Sequence, residues 1–392
     1  MRFLSFVAAA LLALAAGPAI AQTPATACPR PAAAWSAQEA NVWQLLCTTG
    51  KADITPPYGR LEPPVAGEPA PDYVLSATFL RQILTEPPYK DALRSVSIKG
   101  AYITGLLELT GRTIPMPVTF EETQMPDGLV MDQTQAEGAL AFLNSYFPAG
   151  VGFRNGRVAG NLTFDNSVVL GALDITNTTI NGNVSATNGK FEAFVGRAVK
   201  VLGSLNLDGA ETTEVVLPAA RIGTDANLRV AGDGLRLVTL SGVRIPGQLA
   251  LNSAAPWQAD ARMTLSGASV GTLVPPRVWP TGLDTADLLI ERVDTTLATW
   301  LLDRLQKSTR ATNENYMQLA TAARAGGAAT VAQQIDTMVR ERVRARASTS
   351  ERIAMTLEDW GWFSWALGIA ILAGLGWLGL RFYRRKVAEA AS

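Results

Sequence analysis

From Gly105 to Ala193 the apolar side chains return in a frame of eleven residues that does not slip: GLLEL, MPVTF, DGLVM, GALAF, AGVGF, GNLTF, GALDI and GNVSA. Within each rung the third and fifth residues are apolar: Leu107 and Leu109, Val118 and Phe120, Leu129 and Met131, Leu140 and Phe142, Val151 and Phe153, Leu162 and Phe164, Leu173 and Ile175. A period of two inside the unit is strand geometry. Two residues ahead of each rung stands another mostly apolar position, from Ile103 and Ile114 through Met125, Ala136, Phe147, Val158, Val169 and Ile180 to Phe191, which predicts an anchor on the far side of a bend. A unit this small cannot bury its own apolar face. It must stack on the next one, which specifies a solenoid.

An eleven-residue period also suits a right-handed helical supercoil, but the Gly, Asn, Thr and Val content argues against a long helix. The expected fold is therefore mainly β, a single-stranded β-helix. If one unit is half a turn, a coil holds about 22 residues and the coils stack at about 4.8 Å. Beyond Ala193 the frame loosens but continues through GSLNL at Gly203, ANLRV at Ala226, RLVTL at Arg236, GQLAL at Gly247 and ARMTL at Ala261. About eight coils give a rod of roughly 40 Å.

A second column shares the period: Asn144, Asn155, Asn166, Asn177 and Asn188. Stacked amides at an inward corner would form a structural ladder; the alternative is a set of surface turns, which Asn also favours. A solenoid leaves two raw sheet edges that need covering. Upstream, Ser76 opens SATFLRQIL, in which Phe79, Leu80, Ile83 and Leu84 share a helix face before Pro87 and Pro88. Downstream, Pro275, Pro276 and Pro280 end the strands. An amphipathic helix is then predicted from Asp284 to Gln306 on Leu288, Leu289, Val293, Leu297, Trp300, Leu301 and Leu305, and two more follow, about Asn313 to Arg324 and across Val331, Ile335, Met338, Val339 and Val343.

Arg2, the apolar run Phe3 to Ala16 and the small-residue site at Ala19 to Ala21 read as a secretory signal peptide. Trp362 to Leu380 carries no charge and is long enough to cross a bilayer core of about 30 Å; Arg381, Arg384, Arg385 and Lys386 behind it orient the tail to the cytoplasm. The expected organisation is thus a signal peptide at 1–21, a helical cap with a Pro-rich connector at 22–95, the solenoid at 96–275, a helical neck at 276–360, a transmembrane helix at 361–380 and a cytoplasmic tail at 381–392. The Ala-rich signal favours a bacterial inner membrane with the bulk of the chain in the periplasm, although a eukaryotic type I protein has the same topology. Cys28 and Cys47 both fall in the exported part, where a disulfide is expected. Small residues at Ala366, Ala370 and Gly374 point to self-association through the span. Arg340, Arg342, Arg344 and Arg346 spread round their helix, which suits a solvated surface better than a lipid contact.

The run SATFLRQIL, then VSIKGAYITGLLEL, the G-x-L-x-L rungs, and YMQLATAARAGG with its Arg-rich helix and apolar span resembles bacterial membrane-anchored, pentapeptide-repeat-like β-helical proteins over roughly Leu75 to Leu380. The resemblance implies architecture and topology. It carries no functional residue over.

The chain has no histidine, which removes His-based triads, His general bases and His-containing zinc sites. A Walker loop, a nucleophile elbow and a dinucleotide fingerprint are all missing. No catalytic, cofactor-binding or metal-binding residue is therefore assigned, and no cofactor is expected. With 34 basic and 34 acidic residues the net charge is zero, which disfavours nucleic acid as a partner. The functional expectation is a non-enzymatic binding or scaffold module for an envelope protein or glycan. The alternative is a β-helical polysaccharide-modifying enzyme working with surface Asp, Glu, Lys and Arg, for which Asp132 and Arg154 occupy adjacent rungs of one column and Glu121 and Asp165 sit two rungs apart on the opposite side.

Overall fold

The computed structural model describes residues 28–56, 70–231, 234–253, 257–307 and 311–346. It is a parallel β-solenoid of about nine turns. Each coil has four short sides, as in Val96–Lys99, Tyr102–Thr104, Leu107–Glu108 and Thr113–Ile114, before Val118–Glu121 returns to the first side. Side chains that face inward on one coil meet the equivalent ones on the next, because the strands pair in parallel and in register: Val118 with Leu140, Leu140 with Leu162, and Leu162 with Val184 on the first side. Leu129 with Val151 and Val151 with Leu173 do the same on the third. Successive eleven-residue units thus alternate between the first and third sides, and two of them close one coil.

The core is a column of these residues. Phe120 stacks on Phe142 at 5.8 Å and Phe142 on Phe164 at 4.9 Å, with Phe147 edge-on to the last two. Beyond Val184 the coil shortens by one residue, so Val184 pairs with Leu205 and Leu205 with Ala226. The ANLRV rung is consequently displaced by two: Ala226 takes the place expected of Leu228, because backbone pairing is continuous while the apolar pattern is not.

The N-terminal edge is covered. Lys51–Asp53 adds a parallel strand to Val96–Lys99, and helix Ala77–Thr85 packs against the third and fourth sides of the first coil with Phe79, Leu80, Ile83 and Leu84 buried. Helix Ala37–Thr49 has a capping box of Ser36 and Glu39. Cys28 and Cys47 form a disulfide that ties the chain ahead of this helix to its last turn.

The chain divides into two compact units, the first holding the solenoid and cap and the second comprising Ser269–Pro275 and the chain from Asp287 onward. Strands run further than expected in both: Gly282–Asp284 in the first and Leu289–Arg292 in the second. The helix expected from Asp284 begins only at Thr295. Leu289–Arg292 is held in a ladder with Ser269–Val274, and Asp294 starts the helix by accepting from the Leu297 N–H at 2.8 Å. Helices Thr295–Lys307, Asn313–Ala325 and Ala329–Arg346 complete the second unit. Here Arg324 pairs with Asp336 and the Arg342 guanidinium lies 4.3 Å over the buried Tyr316 ring.

The expectation that the fold ends in a transmembrane helix is corrected: among the described residues no helix is long and apolar enough to cross a membrane. The segments read as signal peptide, span and cytoplasmic tail, with Ala366, Ala370 and Gly374, lie outside the described residues.

Candidate functional site

The outward positions of a solenoid are fixed by its inward ones, so each apolar column has polar columns beside it. On the third side Arg154 sits one coil above Asp132. Its guanidinium bonds both carboxylate oxygens, at 3.2 Å to Oδ1 and 2.5 Å to Oδ2, while its backbone N–H donates to Oδ1 at 2.9 Å. Partial burial works to raise the Asp132 pKa, and the bonds and charge of Arg154 outweigh it, holding the carboxyl below its ordinary value. The same stacking recurs elsewhere: Lys99 with Glu121 at 3.0 Å, Lys190 with Glu211 at 3.2 Å, Asp208 with Arg229 at 2.9 Å, and Glu214 with Arg236. Asp165 accepts from the Ser185 hydroxyl at 2.5 Å and from the Thr187 N–H at 2.9 Å. Glu121 and Asp165 therefore each serve a neighbouring coil rather than a common site.

The five asparagines occupy left-handed corners, with φ between 51° at Asn144 and 56° at Asn155. Asn155, Asn166, Asn177 and Asn188 are exposed, and Asn177 donates its amide to the Asn155 side chain at 3.2 Å. The inward corner belongs to the next residue. Thr123 and Ser145 share a hydroxyl bond at 3.0 Å, Ser167 donates to the Phe142 carbonyl at 2.8 Å, and Thr134 donates to the Leu109 carbonyl at 2.8 Å, all of them buried. A short hydroxyl directly after Glu122, Gln133, Asn144, Asn166 and Asn177 is the sequence signal for this ladder, and glycine takes that place after Asn155 and Asn188. Another runs along the start of the first side, where Asn161 Oδ1 accepts from the Asn183 N–H and Asn183 Oδ1 from the Ser204 N–H, each at 2.9 Å.

A shallow cleft of about 170 Å³ opens on the second side between Lys190, Glu211, Thr213 and Gln258. Ligand pockets usually enclose about 300–1,000 Å³, and its one charged pair is the stacked Lys190 and Glu211. Among the described residues no group of three or more His, Cys, Asp or Glu side chains could hold a metal ion. Comparisons with protein-family models, curated proteins and solved structures find no match.

Proposed function

We infer that the chain is a non-enzymatic binding or scaffold module whose long solenoid faces engage an envelope protein or glycan. One observation carries the reading: the carboxylates best placed for chemistry, Asp132, Glu121 and Asp165, are each bonded to an adjacent coil, so they hold the stack together. A bacterial periplasmic location fits the Cys28–Cys47 disulfide, since such bonds persist in oxidising compartments. Kinship with pentapeptide-repeat-like β-helices is supported by the four-sided coil built from two eleven-residue units. The test is in-cell photocrosslinking from Thr163 and Asp174, which face outward on the first and third sides. Capture of a discrete envelope protein, or of glycan, supports the reading. Turnover of a polysaccharide by the purified chain overturns it, and loss of that turnover in Asp132→Asn or Glu121→Gln would place the chemistry at those carboxylates.

A further inference from the structure

The fourth side breaks the rule the other sides follow. Its outward residues are Arg157, Thr179, Lys200, Arg221 and Arg244, one per coil and paired Cα to Cα in that order. The residues beside them, Val158, Ile180, Val201, Ile222 and Ile245, are buried, so the cations are turned to solvent and all four are exposed. Three of them, Lys200, Arg221 and Arg244, follow one another without interruption. Like charges set directly opposite in neighbouring strands are destabilising, and elsewhere this solenoid meets a basic residue with an acidic one on the next coil. Among the described residues none of the four cationic side chains has an ion-pair or hydrogen-bond partner.

Among the described residues, the two columns directly flanking the three-cation run hold no acid. On one edge of the three-cation run stand Ala198, Ala219 and Gly242, and on the other Leu202, Gly223 and Pro246, all exposed; Leu202 leaves 48% of its surface open. The nearest acid along that second edge is Glu137, below Arg157 at the far end of the column. The result is a flat cationic stripe with a weakly apolar rim. Coil spacing sets its pitch at about 4.8 Å, so Arg157 to Arg244 spans about 19 Å.

We propose that this stripe is the binding surface for a linear acidic polysaccharide, laid along the solenoid axis with its carboxylates facing Arg157, Lys200, Arg221 and Arg244 and its sugar faces against Leu202 and Pro246. A straight row of three cations on consecutive coils, with a fourth two coils below, matches a polymer that repeats one anionic group per sugar, whereas a compact anion would need converging donors. Exposed guanidinium groups favour carboxylates through paired N–H donors. The inference rests on the binding-module reading and names the ligand class for one of its faces.

The experiment uses the full chain and polygalacturonate as the probe, with neutral dextran, anionic phosphatidylglycerol vesicles and single-stranded DNA as comparators, at several salt concentrations. The expected result is salt-sensitive binding to polygalacturonate in preference to the comparators. The surface variant Lys200→Gln/Arg221→Gln/Arg244→Gln should weaken it by about tenfold, since each exposed ion pair contributes little by itself. The charge-matched variant Arg30→Gln/Lys51→Gln/Arg94→Gln, which removes exposed cations of the N-terminal cap and first coil, should bind as the parent does. Equal losses in the two variants, no binding at low salt, or preference for vesicles or DNA would each overturn the proposal. Capture of an envelope protein from Thr163 alongside such a failure would leave the binding-module reading intact and remove only this ligand.

Discussion

The Glu39 carboxylate accepts from both the backbone N–H and the hydroxyl of Ser76, at 2.9 and 2.6 Å, across 37 residues of sequence. Its other oxygen accepts from the Ser36 N–H at 2.7 Å. A single buried carboxylate therefore joins the starts of helices Ala37–Thr49 and Ala77–Thr85, since Ser76 itself caps the second by accepting from the Phe79 N–H. The cap that covers the first coil is held at this point.

Glu39→Ala should therefore cost more than the loss of an ordinary N-terminal cap. It leaves three donors unsatisfied in a site where Glu39 is only 6% exposed, and a cost of about 2–3 kcal/mol is expected. Glu39→Gln keeps the volume and one acceptor and should cost less. Urea unfolding of the two variants beside the parent checks the order; equal midpoints for all three would show that the junction carries no stability.

The disulfide acts on the same cap from the other side. Cys28 and Cys47 are 19 residues apart, and closing a loop of that length restricts the unfolded chain by about 3 kcal/mol. Cys28→Ser/Cys47→Ser should unfold the cap at lower denaturant than the coils, seen as earlier exposure of Trp35 and Trp43, which pack edge to face at 5.8 Å. A single transition with unchanged midpoint would contradict this.

The Asp132–Arg154 pair gives a pH dependence with a defined sign. Arg154 holds the folded Asp132 carboxyl below its ordinary value, so the pair's contribution is complete above the unfolded pKa of about 3.9. It is lost as pH falls from there through the folded pKa. Because Arg154 is half exposed, solvent screening keeps the contribution below about 1 kcal/mol. Asp132→Asn should destabilise slightly at pH 7, and the difference from the parent should vanish in strong acid. A difference that grows on acidification would reverse the assignment.

How far the chain could be read beforehand follows from how local each feature is. The inward pairs such as Val118 with Phe120 repeat with strand period and are visible as spacing. The left-handed corners are visible as the Asn column, but whether Asn155 points inward or outward depends on the backbone of the adjacent coil, which no single repeat encodes. The Ser145 and Thr134 hydroxyls sit one residue later and fill the corner that the amides were expected to fill. The first C-terminal helix starts at Thr295 rather than Asp284 because Leu288, Leu289 and Val293 fit a helical face as well as a strand, and pairing with Ser269–Val274 decides between them. The basic stripe is hidden in the sequence for a related reason: Arg157, Lys200, Arg221 and Arg244 stand at uneven intervals and line up only once the coil lengths are known, 21 residues from Lys200 to Arg221 and 23 from Arg221 to Arg244.

The start of the first side offers the sharpest test of stacking. A Cβ added at Gly203 would collide with Asn183 Oδ1 and lie 3.0 Å from the Gly182 carbonyl; the same oxygen accepts from the Ser204 N–H. The glycine is thus required by the coil beneath it rather than by its own conformation. Gly203→Ala should cost about 1–3 kcal/mol by overpacking. Asn183→Ala removes the obstructing amide at the expense of the Ser204 bond, so the double variant should be more stable than the two single losses added together, by about 0.5 kcal/mol or more. Because each coil touches only its neighbours, faster amide exchange should be confined to the coils around Val184–Ser185 and Leu205–Asn206 and absent near Val118. Strict additivity, or exchange raised evenly along the solenoid, would show that the two residues do not meet as the stacked coils require.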